Sequence, residues 1–234
     1  MRKIKEDFKI LTEISEGGIK ELQMIEQIGR VCYKSEDLIT PDGESAKKFV
    51  AMLIKNGHEA MLEHSTLSVM FTVDRGVSHE LVRHRIASFA QESTRYVNYS
   101  KEKFGSECTF IDIAQGIKLD NKMKNMGSSE IALILDEWTK AMEDAEKHYM
   151  RMLEFGATPQ IARSVLPNST KTDITITANY REWRNFFKLR VPATAHPQMR
   201  EVTIPLLQEL KEKIPMVFDD IENGAILGKK ENND

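Results

Sequence analysis

Residues 81–96 read LVRHRIASFAQESTRY, and the rest of the chain is expected to hold this segment in place. It gathers Arg83, His84, Arg85 and Arg95 around Ser88, Gln91 and Ser93, with Glu92 its single acid. Arginine forks hold phosphates and carboxylates through two parallel hydrogen bonds, and hydroxyl and amide side chains complete a pocket for a polar, planar ligand. An anionic nucleotide suits such a set. The plain alternative is a solvated helix face followed by a serine-bearing surface loop. Against it, Val77, Leu81 and Val82 form an apolar stripe at helical spacing, which predicts a helix anchored to a core with its polar side lining a cleft or an interface.

Upstream, residues 66–73 (TLSVMFTV) are β-branched and aromatic and read as a strand, and Asp74-Arg75-Gly76 turns the chain into the helix. His79-Glu80-Leu81-Val82-Arg83-His84 looks like a zinc-protease motif with one residue too many. On a helix, a five-residue separation points two side chains roughly 140° apart, so these histidines cannot share a metal. His58-Glu59 and Glu63-His64 also pair histidines with carboxylates, but no cysteine or third histidine stands nearby at ligand spacing, and no metal is expected. Residues 1–14 alternate weakly as an edge strand, which Gly17-Gly18 breaks. Helices are predicted over 19–33, with Cys32 at the end, and over 45–55, after a turn at Pro41-Asp42-Gly43.

Downstream, 107–113 reads as a short strand and 115–128 as a surface connection. From 129 to 154, Ile131, Leu135, Trp138, Met142, Ala145 and Tyr149 alternate steps of four and three, the stripe of a long amphipathic helix. A short helix near Pro159 ends in ARSVLP and offers Arg163. Residues 173–178 (DITITA) alternate with period two, and the following helix carries Arg181, Asn185 and Arg190 over a buried side of Phe186, Phe187 and Leu189. A last helix spans 196–213. The expectation is an α+β fold, mainly antiparallel sheet flanked by long helices, as a single domain over 1–228 with a disordered tail at 229–234.

The 234 residues carry a net charge of −3 with a pI near 6.1, which argues against a general nucleic-acid binder. Two cysteines, no apolar signal stretch after MRKIKEDFKI and no apolar run of about 18 residues predict a reduced cytoplasmic protein with no membrane segment and no disulfide. There is no Gly-x-Gly-x-x-Gly or Gly-x-x-x-x-Gly-Lys loop, so side chains must hold any dinucleotide diphosphate.

Arg83-His84-Arg85, seven further residues and then Ser93 resembles the signature of the flavin-dependent (alternative) thymidylate synthases, and Arg95-Tyr96 continues it. The likeness extends to GHEAMLEH at 57–64, ARSVLP at 162–167 and NYREWRNFFKLR at 179–190, covering roughly residues 25–215. The resemblance implies FAD at a subunit interface of a homotetramer, engaged by Arg83, His84, Arg85, Gln91, Asn179, Arg181 and Asn185. It implies a dUMP site built from Glu80, Leu81, Val82, Arg83, Gln91, Glu92, Ser93, Thr94, Arg95, Arg163 and Arg190, with Arg190 as the catalytic group that ionises uracil N3. It further implies methylene transfer from 5,10-methylenetetrahydrofolate, reduction by a flavin hydride, and recharging of the flavin by NADPH.

Three positions depart from the pattern. Ala60 replaces a frequent hydroxyl residue beside the flavin, Thr94 a frequent glycine, and Glu80 a glutamine found in some members. A small polar residue of the family approaches the flavin near Cys32, but a lone cysteine in such a helix reads as packed. Neither cysteine sits in the motif. Ser93 is read as a substrate ligand rather than a nucleophile, because its guanidinium neighbours are poor bases. Two readings from other classes stay open: a flavin- or nucleotide-binding protein without turnover, and an arginine-rich nucleic-acid-binding module.

Overall fold

The structure, a computed structural model, describes residues 1–222, so the tail expected at 229–234 lies outside them. The weak alternation at the start becomes two strands, β1 (Arg2–Ile4) and β2 (Asp7–Ile10). Helices α1 (Ile19–Val31) and α2 (Glu44–Lys55) follow the predicted spacing, burying Leu22 and Ile25 on one and Ala46, Phe49, Val50 and Leu53 on the other. The turn between them needs its glycine twice over: Gly43 has φ 77°, and a Cβ there would stand 2.2 Å from Ile19 Cδ1.

Strand β3 (Thr66–Asp74) and helix α3 (Arg75–Leu81) come next. The helix ends at Leu81, before the Arg-His-Arg triplet, and Val82, predicted buried, is 40% exposed. Residues 86–91, for which the sequence suggested no element of their own, supply strand β4 (Ala87–Gln91). Strand β5 (Thr109–Ile111) is followed by helix α4 (Ala114–Leu119), which occupies part of the predicted surface connection because Ile117 finds a buried position. Then come α5 (Ser128–Glu154), α6 (Pro159–Ala162), β6 (Lys171–Asn179), α7 (Tyr180–Arg190) and α8 (Pro197–Lys213).

The main sheet is antiparallel with strand order β2-β3-β6-β4, and β1 pairs in parallel with β5 in register Arg2↔Thr109, Lys3↔Phe110, Ile4↔Ile111. Both β3 and β6 alternate buried and open positions along their length, the period-two signature of a half-buried strand. The α+β expectation therefore holds.

The chain packs as two compact units of interleaved segments. The first takes residues 1–8, 70–83 and 89–175, and the second takes 9–69, 84–88 and 176 onward. The first unit centres on Tyr99, Cys108, Phe110, Met142, Tyr149 and Ala162, with Trp138 packed against this cluster and its indole N–H donating to Ser169 Oγ at 3.1 Å. The predicted stripe of α5 is thus its core face. The second unit centres on α7, whose Trp183, Phe186 and Phe187 rings meet edge-on or stacked at 5.1–5.9 Å, with Phe218 5.7 Å from Phe187. Leu189, predicted on that buried side, is 49% exposed, and Trp183, not named in that prediction, is buried with Phe186 and Phe187. Among the described residues no helix is long and apolar enough to cross a membrane.

Candidate active site

In the first unit, β3 delivers the chain to α3 through Asp74, a buried N-cap whose carboxylate accepts from Val77 N–H at 2.6 Å. Arg75 and His79, one helical turn apart, line a cavity of about 530 Å³ with Thr94, Gln160, Arg163, Ser164 and Asn168. Thr94 is buried, and its hydroxyl accepts from an Arg163 Nη1 at 3.2 Å. Arg75 buries its Nη1 without a hydrogen-bond partner. Two guanidiniums, a histidine, hydroxyls and amides line this space, and among its lining residues there is no carboxylate, so the cavity is electropositive and suits an anion.

The remaining residues of the motif in this unit divide. Ser93 and Arg95 occupy a turn in which the Ser93 carbonyl accepts from Tyr96 and Val97 N–H at 3.1 Å, and Arg95 is exposed with its guanidinium 5.4 Å from the Tyr96 ring centre. Gln91 donates from its amide nitrogen to Ser78 Oγ at 2.9 Å and Thr172 Oγ1 at 3.3 Å, which fixes the orientation of its side chain. Glu92 points elsewhere. Its carboxylate accepts from Tyr99 Oη and Lys171 Nζ at 3.0 Å each, and it lines a separate cavity of about 340 Å³ with Tyr99, Lys171 and Asp173. Lys171 also bridges to Asp173, so the acid is neutralised locally. Glu80 is half-buried and Arg83 exposed, while the Leu81 side chain is fully buried and has only its backbone to offer.

In the second unit, Asn179 ends β6 and caps α7, its Oδ1 accepting from Glu182 N–H at 2.8 Å. Asn179, Arg181, Glu182, Asn185, Lys188 and Ile86 line a cavity of about 460 Å³, together with Glu59 and Glu63 of the GHEAMLEH segment. Three carboxylates beside a diphosphate would repel it, yet each is engaged: Glu63 by Arg181, Glu59 by Arg184 at 3.0 Å, and Glu182 by His84. Arg181 and Lys188 are the cations of this lining, paired with Glu63 and with Glu59, and an anion entering here would have to compete with those carboxylates for them. Arg85 is exposed, and Ala60, also exposed, offers no hydroxyl.

His84 is buried, with an edge-on contact to Phe186 at 4.9 Å between ring centres. Its Nδ1 lies 3.1 Å from Glu182 Oε1, and its Nε2 accepts from Arg190 Nε at 3.0 Å. Burial pushes the imidazole pKa down, Glu182 pushes it up and Arg190 down again, and the balance lies below the ordinary 6.5. The Arg190 backbone is fixed in turn by Thr203, whose hydroxyl donates to its carbonyl at 3.1 Å. His79 and His84 were predicted on one helix; α3 ends between them, so His79 faces the first unit's cavity and His84 belongs to the second unit.

Residues 19–216 match the sequence pattern of the family described as thymidylate synthase complementing protein. The flavin-dependent thymidylate synthase of Corynebacterium aurimucosum is 33% identical over 213 residues, spanning 89% of this chain and 83% of that one. The chain belongs to the flavin-dependent thymidylate synthase family. Members of this enzyme family from Corynebacterium diphtheriae and Mycolicibacterium vanbaalenii are 31% and 32% identical, covering 87% and 85% of this chain and 80% and 79% of theirs. Among solved structures, the UMP/dUMP methylase PolB from Streptomyces cacaoi, crystallised with 5-Br dUMP, superposes with a TM-score of 0.73 at 21% identity. That likeness covers 93% of this chain and 95% of PolB and shows a shared fold. Three residues that the motif reading did not assign to a ligand line these cavities: Arg75 and His79 in the first unit and Glu182 in the second.

Proposed function

We propose that this protein makes dTMP from dUMP, taking a methylene from 5,10-methylenetetrahydrofolate. FAD, when bound, supplies the hydride that reduces the transferred unit, and NADPH restores it. The carboxylate-free cavity of Arg75, His79, Thr94 and Arg163 carries the nucleotide assignment, because a dianionic phosphate is the part of dUMP that demands converging cations and hydroxyls. Family membership supports assigning residues 80–83, 91 and 93–95 to the same nucleotide, with Arg95 and Ser93 toward phosphate; Glu92, held by Tyr99 and Lys171 in a separate cavity, is left out. Arg190 acts at the uracil edge. As C5 becomes nucleophilic, negative charge develops along N3–C4–O4, and a fixed guanidinium stabilises it most when that charge is largest.

The flavin dinucleotide is assigned to Arg83, Arg85 and Gln91 with Asn179, Arg181 and Asn185; His84, read with them in the sequence, has both ring nitrogens taken by Glu182 and Arg190. A cofactor shared between chains makes the working form a homo-oligomer, and the family reading makes it a tetramer. The test is optical and chemical. The purified protein is expected to be yellow, to bleach anaerobically with NADPH, and to form dTMP when dUMP and methylenetetrahydrofolate are added. A colourless protein that also refuses added FAD overturns the cofactor assignment. A yellow protein that makes no dTMP is a binding protein without turnover.

A further inference from the structure

Arg190 Nε carries a hydrogen and has no lone pair to give, so its 3.0 Å contact with His84 Nε2 requires that nitrogen to be the acceptor. The ring's single proton must then sit on Nδ1, where it donates to Glu182 Oε1 at 3.1 Å. Carboxylate, imidazole and guanidinium thus form a directional chain whose polarity is fixed at one end by a group that can only donate. From this geometry we infer that Glu182 is a positioning residue for the methylation chemistry: it holds His84 as the neutral Nδ1–H tautomer, and His84 holds the Arg190 guanidinium in its working orientation. The inference rests on the reading of Arg190 as the uracil-activating group.

Glu182 is itself locked. Its oxygens also receive Asn185 Nδ2 at 3.3 and 3.4 Å, and its backbone N–H is capped by Asn179. Protonating His84 would set an Nε2–H against the Arg190 Nε–H and break the chain at its last link. The charged groups facing the ring are Glu182 and Arg190, and burial adds to the guanidinium in keeping the ring neutral. Relay chains of this kind orient a functional group through the tautomer of an intervening imidazole, so a remote carboxylate can govern rate without touching the reacting atoms.

The experiment uses the intact, flavin-loaded protein labelled with ¹⁵N-histidine. The His84 resonances are identified among the six histidines by their loss in His84→Asn. Near neutral pH, Nδ1 should carry the proton and Nε2 should be bare; an Nε2–H tautomer or an imidazolium overturns the relay whatever Arg190 does. Glu182→Gln should then mix the two tautomers and lower kcat per bound flavin roughly tenfold to a hundredfold, below the loss expected for removing the Arg190 donor itself, with dUMP KM unchanged. Because the Glu182 charge favours imidazolium, its removal should also move the acid limb of the kcat profile to lower pH. An unchanged tautomer, rate and limb in Glu182→Gln would reduce the carboxylate to a structural role. If the tautomer is as stated but Arg190→Lys turns over normally, the reading of Arg190 fails while the relay stands.

Discussion

Arg163 and Thr94 show how one hydrogen bond prepares a residue for a ligand. The 3.2 Å bond to a buried hydroxyl orients the guanidinium before any phosphate arrives, so Arg163→Ala should weaken dUMP binding by roughly 1.5–3 kcal/mol, about ten- to hundredfold in Kd by calorimetry, with flavin retained. Unchanged affinity would take the phosphate away from this cavity. Arg190 should behave differently, because its contribution grows along the reaction coordinate. Arg190→Ala and Arg190→Lys are each expected to cut single-turnover dTMP formation from pre-reduced enzyme by about 10²–10³ at saturating substrates. The cysteines are spectators on structural grounds: Cys32 is exposed at the end of α1, and burial pushes the Cys108 thiol up to about 12. Iodoacetamide near pH 8 should label Cys32 and spare Cys108, with turnover kept; loss of turnover on labelling would revive a thiol mechanism. Arg163 and Arg190 were legible in the sequence because arginines in a fixed pattern carry chemistry of their own. Glu182 was not, since a glutamate in an arginine-rich helix reads as a solvated partner until folding buries it against a histidine 98 positions away.

Helix α7 carries two tasks on one residue. Asn179 caps the helix with its carbonyl and lines the cavity assigned to flavin, so its two roles can be pulled apart by substitution. Asn179→Asp keeps an acceptor at the helix N-terminus and should leave Tm nearly unchanged, while its new negative charge repels a diphosphate and weakens FAD retention. Asn179→Ala should lose both, with stability down by about 1 kcal/mol. Equal flavin content in the two variants and the parent would remove Asn179 from the cofactor site. The elements most readable in advance were those with a clean period: β6 alternates through DITITA, and α5 repeats its stripe along its length. The helix through Arg-His-Arg was misread because no glycine or proline marks its end; α3 stops where its apolar stripe runs out at Leu81. Strand β4 was missed because ASFAQ has few β-branched residues, and its pairing in the sheet overrides that weak propensity.

At the scale of the whole molecule, Arg184 fastens distant parts of the chain within the second unit. It is 1% exposed and donates to Asp220 at 2.6 and 2.7 Å, to Glu59, and to the Val217 carbonyl. Arg184→Met should cost about 3 kcal/mol in urea unfolding, because two carboxylates lose a buried partner. Burial alone would raise the Asp220 carboxyl, but Arg184 holds it below the ordinary 3.8. Its contribution is therefore present above that unfolded value and is lost as the pH falls below it; Asp220→Asn should flatten the acid side of the stability curve, and an unchanged curve would leave the ion pair without weight. The interleaving of the two units also sets an order of events during synthesis. Residues 9–69 cannot complete their unit until residue 176 and beyond emerge, after the 106 residues from 70 to 175. At roughly 5–20 residues per second, residues 9–69 wait on the order of 5–20 s for α7 and α8 of the same unit. A nascent chain halted at residue 175 would hold the α1–α2 pair without the aromatic cluster of Trp183, Phe186 and Phe187 on which its unit centres, leaving a half-built unit on the ribosome.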